Sequence, residues 1–282
     1  MSRRLSLAVV TGVVWLGSYA YAQFGNTPAQ LTTIKVRDDL FVVYNDYVPG
    51  NTTVLVTSEG AILVDNKFPT DYDNLMAQVR QITTQPIRYV INTHYHGDHS
   101  GGNQRMQAQN VQVIASERAR RKMVESNQPG LPNVTLDDTV RLYLGGKRAE
   151  VHYFGRAHTD GDVVVHFPDH RAIAMGDLYT VGDGLPQLVD YTGGGSMREW
   201  PRTLDGALSL DFDTAIPGHG KVSNKEDMRK YRDATMQLGT RIHEMLTKKA
   251  GRAEVEKVLR TQFGFEDFHI QNSLDGLLAE MR

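Results

Sequence analysis

Four side chains of the kinds that bind transition metals lie within six residues of the sequence. They are His94, His96, Asp98 and His99, and they directly follow an apolar run, Ile87 to Ile91. Imidazole nitrogens and carboxylate oxygens suit zinc or a neighbouring first-row metal. In an extended loop His94 and His96 project to the same side and can share one ion, which leaves Asp98 and His99 for a second. The alternative is a polar loop in which histidines cluster without a metal.

Three shorter motifs further along the chain carry more side chains of these kinds. His158 lies in the segment GRAHTDGD, Asp177 closes the segment MGD, and His219 lies in the segment PGHG. Each of them alone is more often a turn than a ligand site. Together, and in this order, they resemble the metallo-β-lactamase superfamily, whose signature is H-x-H-x-D-H followed by a distant His, Asp and His. The resemblance spans about residues 40 to 220.

The resemblance implies a metal centre with seven ligands. A first metal would be bound by His94, His96 and His158, a second by Asp98, His99 and His219, and Asp177 would bridge the two. Two Zn²⁺ ions per chain are expected, with iron or manganese as alternatives. Two divalent ions about 3.5 to 4 Å apart lower the pKa of a shared water, so that hydroxide exists near pH 7. Asp98 would also have a catalytic role, because a carboxylate at this position can orient the hydroxide and manage its proton.

Two residues close to these motifs are candidates for a further role. Tyr179 follows Asp177 by two positions, and its hydroxyl could donate to a developing oxyanion in catalysis. Lys221 follows His219 by two positions and could bind a substrate carboxylate. The alternatives are a tyrosine in the wall of the site and a solvated lysine.

Packing or surface roles are favoured for the other histidines. His152 and His166 lie inside strand patterns, whereas His170, His243 and His269 have no neighbours of metal-ligand type in the sequence.

The elements that must position these residues read as short strands and amphipathic helices. The predicted strands are 40–44, 52–57, 61–65, 87–91, 111–115, 140–144, 149–154, 163–167 and 171–175. Helical spacing of apolar residues predicts a helix from about Tyr72 to Ile82, with Thr70 or Asp71 as its cap. Ser116 should cap a basic helix, and a further helix should run through Leu210.

The final segment of the chain reads as two or three helices. Ser223-Asn224-Lys225-Glu226 has the form of a capping box, and Gly251 and Gly264 look like helix stops. This order of elements favours the α/β class, as a four-layer αββα metallo-β-lactamase sandwich with C-terminal helices. We expect one domain over 23–282, with a core at about 40–220 and a C-terminal helical segment at about 224–282.

Residues 1–22 have the pattern of a signal peptide. Two arginines precede a short apolar run, and Ala20-Tyr21-Ala22 is a small-x-small cleavage pattern before Gln23. An uncleaved membrane anchor and a twin-arginine signal are the alternatives. The chain has no cysteine, so an exported form would depend on core packing and metal rather than on disulfides. A periplasmic or secreted protein without stable membrane insertion is expected.

The predicted function is an exported dinuclear zinc-dependent hydrolase. It would attack a small-molecule carbonyl, in an ester, lactone, thioester or amide, with a metal-bound hydroxide. A formal net charge of -2 gives no electrostatic reason to expect a nucleic acid as partner. Asp177 at the bridging position resembles glyoxalase II and lactonases, whereas the best-known β-lactamases carry Cys or Ser there. The alternatives are a metallo-β-lactamase acting on β-lactams and, in another class, an iron-dependent oxidoreductase similar to sulfur dioxygenases.

Overall fold

A computed structural model describes residues 26–46, 48–182 and 188–282. The predicted signal peptide and the cleavage site before Gln23 lie outside these ranges. Among the described residues, no helix has both the length and the apolar character needed to cross a membrane.

Two mixed β-sheets contain all the strands of the described residues. The first sheet holds β1 (Thr32–Lys35), β2 (Leu40–Tyr44), β3 (Thr52–Thr57), β4 (Gly60–Val64), β5 (Ile87–Ile91), β6 (Gln112–Ser116) and β7 (Val134–Leu136), in that spatial order. The second holds β8 (Thr139–Leu144), β9 (Lys147–His152), β10 (Val164–Phe167), β11 (Ala172–Ala174), β12 (Thr214–Ile216) and β13 (Ser223–Asn224), also as consecutive neighbours. Pairing is antiparallel from β1 to β4 and parallel from β4 to β7.

Helices cover the outer faces of both sheets. They are α1 (Tyr72–Ile82), α2 (Gly97–Ser100), α3 (Asn103–Gln107), α4 (Glu117–Glu125), α5 (Trp200–Leu208), α6 (Lys225–Thr247), α7 (Arg252–Phe263) and α8 (Asp267–Glu280). Leu75 and Val79 of α1 pack on the outer face of the first sheet, while Leu204 of α5 and Leu238 of α6 pack on that of the second. A third apolar cluster fills the space between the sheets. The predicted four-layer αββα sandwich with C-terminal helices is confirmed.

Most predicted elements are present, with ends shifted by a few residues. Ser116 does cap α4, because its hydroxyl accepts a hydrogen bond from the backbone N–H of Ala119. At α1 Asp71 occupies the cap position, as one of the two predicted candidates, but its side chain makes no capping hydrogen bond and accepts instead from the N–H of Ala29. The local sequence pattern assigned the Asp71 side chain to the helix end, but this side chain bonds to a residue 42 positions away in the sequence.

The start of α6 and the role of Gly251 also differ from the prediction. Ser223 belongs to strand β13, and the cap is Asn224, whose side chain accepts from the N–H of Asp227. Both Ser223 and Asn224 pair with β12, but the Asn224 side chain is the one that reaches the N–H of Asp227, so the helix begins one residue later than predicted. Gly251 begins α7 rather than ending α6, whereas Gly264 ends α7 in a left-handed conformation as expected.

Candidate metal centre

The loop after β5 is fixed by hydrogen bonds to the ends of neighbouring strands. Thr93 donates from both its backbone N–H and its hydroxyl to the carboxylate of Asp65, at 2.7 and 2.8 Å. The short helix α2 starts directly after His96 and carries Asp98 and His99, whose ring lies beside that of His94 with the centroids 4.3 Å apart. Parallel strands β4, β5 and β6 end at the same edge of the sheet, and this edge carries the centre.

The first group of metal-type side chains is formed by His94, His96, His158 and Asp177. One ligand atom of each lies within 4.8 Å of those of the others. His96 Nδ1 and His158 Nε2 are 3.1 Å apart. The three imidazoles are buried, so these nitrogens converge on one enclosed volume.

The second group is formed by Asp98, His99 and His219, which are also buried. The Nε2 atoms of His99 and His219 are 3.3 Å apart, and Asp98 Oδ2 lies 3.5 and 3.4 Å from them. Both groups therefore have the membership that the resemblance implied.

Asp177 faces both groups at once. Its Oδ2 lies 3.6 Å from His158 Nε2 and 3.9 Å from His94 Nε2. Its Oδ1 lies 3.1 Å from His99 Nε2 and 3.3 Å from His219 Nε2. The turn at Gly218 presses against this carboxylate, and a Cβ built there would lie only 2.1 Å from Oδ1. One carboxylate thus spans the space between two sets of imidazoles.

The ligand set fits a pair of zinc-type ions. In a tetrahedral zinc site with bonds of about 2.0 to 2.1 Å, neighbouring ligand atoms are about 3.3 Å apart, close to the separations within each group. His94 Nε2 is buried and has no hydrogen-bond partner, which is costly for a polar atom unless a cation binds there. The nitrogen and oxygen donors are those that zinc prefers.

Acceptors behind the imidazoles orient three of the rings. His96 Nε2 donates to Asp190 Oδ2 at 2.9 Å, and His99 Nδ1 donates to Asp65 Oδ2 at 2.8 Å. His158 Nδ1 donates to the backbone carbonyl of Leu188 at 2.6 Å. Each bond holds a proton on the outer nitrogen and leaves the inner nitrogen as a lone pair directed at the centre.

Asp65 and Asp190, which hydrogen-bond to two of the candidate ligands, were not predicted from the sequence. Asp190 also accepts hydrogen bonds from the Tyr95 hydroxyl and from the N–H of Gly193, and it is fully buried. The available signal was weak: Asp65 ends an apolar strand pattern, and Asp190 lies far from any histidine in the sequence.

The protonation states follow from burial and from the carboxylates. Burial lowers the pKa of His158 to about 4 and, together with the neighbouring imidazoles, lowers the pKa of His94 well below its usual value. Burial also acts to lower the pKa of His99, but Asp177, Asp98 and Asp65 outweigh it and hold that pKa well above its usual value. The anionic side of the centre thus stabilises positive charge, which a metal cation can supply.

Comparison with known proteins assigns the family. A family model described as the metallo-beta-lactamase superfamily matches residues 45–219, well over half of the chain. The chain belongs to the metallo-β-lactamase superfamily. It is a metallo-β-lactamase-like hydrolase, and its candidate metal-binding side chains are histidines and aspartates.

Curated relatives and solved structures agree with this assignment. A metallo-beta-lactamase type 2 of Bacillus sp. (strain 170) is 27% identical over 201 residues, which cover 68% of this chain and 75% of that protein. One of Elizabethkingia meningoseptica is 23% identical over 211 residues, covering 72% and 82%. The structure of a metallo-beta-lactamase from Pontibacter korlensis has a TM-score of 0.65 at 24% identity, covering 73% of this chain and 99% of that one.

Tyr179 and Lys221 lie in different surroundings from the candidate ligands of the metal centre. Tyr179 is buried in the apolar cluster of the second sheet, and its hydroxyl lies 2.9 Å from the hydroxyl of Ser223. Lys221 is exposed. The catalytic role of Tyr179 and the substrate-binding role of Lys221 remain predictions.

The other histidines make different contacts. His170 Nε2 lies 2.5 Å from Asp39 Oδ1, His243 Nδ1 donates to the carbonyl of Met281, and His269 Nδ1 accepts from the N–H of Glu266. His152 and His166, by contrast, meet Glu150 on the second sheet, in a third group of metal-ligand type.

Proposed function

We propose that this protein is an exported, dinuclear zinc-dependent hydrolase of small molecules that contain an activated ester, lactone, thioester or amide carbonyl. The observation that carries the proposal is the position of Asp177, whose two carboxylate oxygens each face a separate set of imidazoles. Seven ligands are too many for one tetrahedral ion, and this bridge divides them between two.

Two divalent ions in such a centre supply Lewis acidity, which polarises a carbonyl oxygen and makes water acidic enough to ionise near neutral pH. The chain's own residues keep the site ready for this chemistry. Asp65, Asp190 and the Leu188 carbonyl fix three rings in one tautomer, so little reorganisation is needed when ions bind. Asp98 lies at the edge of the second group, where its carboxylate can orient a water and accept its proton.

The second candidate function is the hydrolysis of β-lactams. It is favoured by the names of curated relatives, which are metallo-beta-lactamases of type 2 from several bacteria. Asp177 weighs against it, because an anionic bridging ligand reduces the positive charge available to the carboxylate that penicillins, cephalosporins and carbapenems carry. Neutral lactones and aryl esters carry no carboxylate, so the anionic bridging ligand should not weaken their binding.

A side-by-side kinetic assay at pH 7 tests the proposal. The zinc-loaded protein should have a higher kcat/KM for a lactone or an aryl ester than for any penicillin, cephalosporin or carbapenem. Carbapenem turnover above every ester tested would move the protein to the β-lactamases proper. Elemental analysis of the same sample should return at least two zinc ions per chain. A single tightly held iron would instead favour the sulfur dioxygenase-like oxidoreductase.

Export is tested by the intact mass of the protein from a host with a compatible secretion system. The mature chain should begin at Gln23. An uncut chain recovered in the membrane fraction would favour the anchor.

A further inference from the structure

Glu150, His152 and His166 form a compact group on the outward face of the second sheet. Glu150 and His152 are two apart on β9, and the β9–β10 register places His166 directly opposite Glu150. Ala149, Val151 and Val165, which alternate with them, belong to the core between the sheets. The three side chains therefore point away from that core, on the side that α5 and the loop after it cover.

The ligand atoms of this group converge. Glu150 Oε2 lies 3.4 Å from His152 Nε2 and 3.5 Å from His166 Nδ1, and all three atoms lie within 4.8 Å of one another. These separations are close to the distance of about 3.3 Å between ligand atoms of a tetrahedral zinc ion. The side chains of Glu150 and His152 are 12% exposed and that of His166 is 6% exposed, so the group is more enclosed than an ordinary surface pair.

The contacts around the group point ring nitrogens of both histidines at Glu150. His166 Nε2 lies 2.9 Å from the backbone carbonyl of Asp211, which can only accept, so Nε2 carries the proton. The other ring nitrogen, Nδ1, faces Glu150 Oε2 at 3.5 Å. His152 Nε2 is shielded from solvent and makes no hydrogen bond of acceptable geometry. One cation with three ligands would satisfy both nitrogens and the carboxylate oxygen between them at once.

We propose that Glu150, His152 and His166 form a separate binding site for one divalent transition-metal ion of zinc type, with the fourth position open to water. Nitrogen and carboxylate donors in a two-histidine, one-carboxylate set suit zinc. Bound there, the ion joins β9 to β10 and, through the hydrogen bond from His166 to Asp211, to the loop that follows α5. The site does not depend on the hydrolytic function proposed above.

Metal counting on the full chain tests this site. The protein is stripped with a chelator, reloaded with zinc, freed of excess ion by gel filtration and analysed for zinc. We expect about three ions per chain for the unaltered protein and about two for His152→Ala and for Glu150→Gln. The matched control is His170→Gln, which removes another buried histidine of the same sheet region and should keep about three ions. A count that is the same in the unaltered protein, His152→Ala and Glu150→Gln would overturn the proposal.

A second measurement separates this site from the dinuclear centre. A variant with His94→Ala and His99→Ala lacks one candidate ligand from each group at the centre. Its thermal stability should still rise when zinc is added. Adding Glu150→Gln to that variant should abolish the gain. A gain that survives Glu150→Gln, or no gain in either protein, would contradict the site whatever the outcome of the hydrolysis assay. Glu150→Gln is nearly isosteric and should leave the fold intact. Circular dichroism of the variant checks this before zinc is added.

Discussion

The dinuclear centre and the Glu150 group use the same kinds of side chain but are supported differently. At the centre the ligand candidates lie beyond strand ends, on loops and on the short helix α2. Two aspartates, Asp98 and Asp177, are among them, and Asp65 and Asp190 orient the rings from behind. In the Glu150 group the ligands lie within strands, and its single carboxylate also contacts Arg141 and Arg148 through Oε1. Negative charge around the ligands, rather than their number alone, should therefore separate a tight site from a weak one.

Loss of the bridge should have the largest effect at the centre. Asp177→Ala removes the one carboxylate shared by both groups, so we expect hydrolysis to fall at least ~100-fold and the second ion to be lost first. Kinetics and zinc content of the same preparation measure this. Asp169→Ala, at an exposed aspartate in the turn between β10 and β11, is the control and should change neither. Retention of both ions and full activity in Asp177→Ala would show that the bridge is wrongly assigned.

The same contrast explains how much could be predicted from the sequence. The ligands His94, His96, Asp98 and His99 are recognisable because they are close together in the chain, and their spacing alone suggests a shared ion. The fold was predictable because apolar alternation and helical spacing reflect which faces are buried. Local patterns therefore predicted this ligand cluster and most strands and helices, because both depend on residues that are close together in the sequence.

The parts that could not be predicted depend on contacts between distant segments. Asp190 supports His96 across 94 positions, and His166 meets Glu150 only through the register of two strands. No local pattern encodes either contact. The same cause leaves α1 without a side-chain capping bond, because the carboxylate of Asp71 accepts from Ala29, 42 positions away.

Asp190 and Asp65 should each affect the affinity of the centre for only one of its two ions. Asp190→Asn weakens the orientation and basicity of His96, so it should lower affinity for the ion bound with His94 and His158. Asp65→Asn should do the same for the ion bound with His99. Loss of such a partner typically costs about 10- to 100-fold in metal affinity. Cobalt titration followed by absorbance, with chelator competition, reports each ion. Equal weakening of both ions by either change would mean that the halves do not bind independently.

The smallest expected effect concerns the charge beside the Glu150 group. Arg141 Nε lies 3.2 Å from Glu150 Oε1, and the arginine is largely exposed. Its positive charge opposes a cation bound at Oε2, but solvent screens it, and exposed ion pairs are typically worth about 0.2 to 1 kcal/mol. Arg141→Gln should therefore tighten zinc binding at the Glu150 group by about two- to fivefold. The dinuclear centre should be unaffected.

Isothermal titration in the His94→Ala/His99→Ala background measures zinc binding at the Glu150 group alone. Arg88→Gln, a change at an exposed arginine of the other sheet, is the control. Weaker zinc binding in Arg141→Gln would mean that this arginine supports the site by positioning Glu150, and that charge is not what separates the two metal sites.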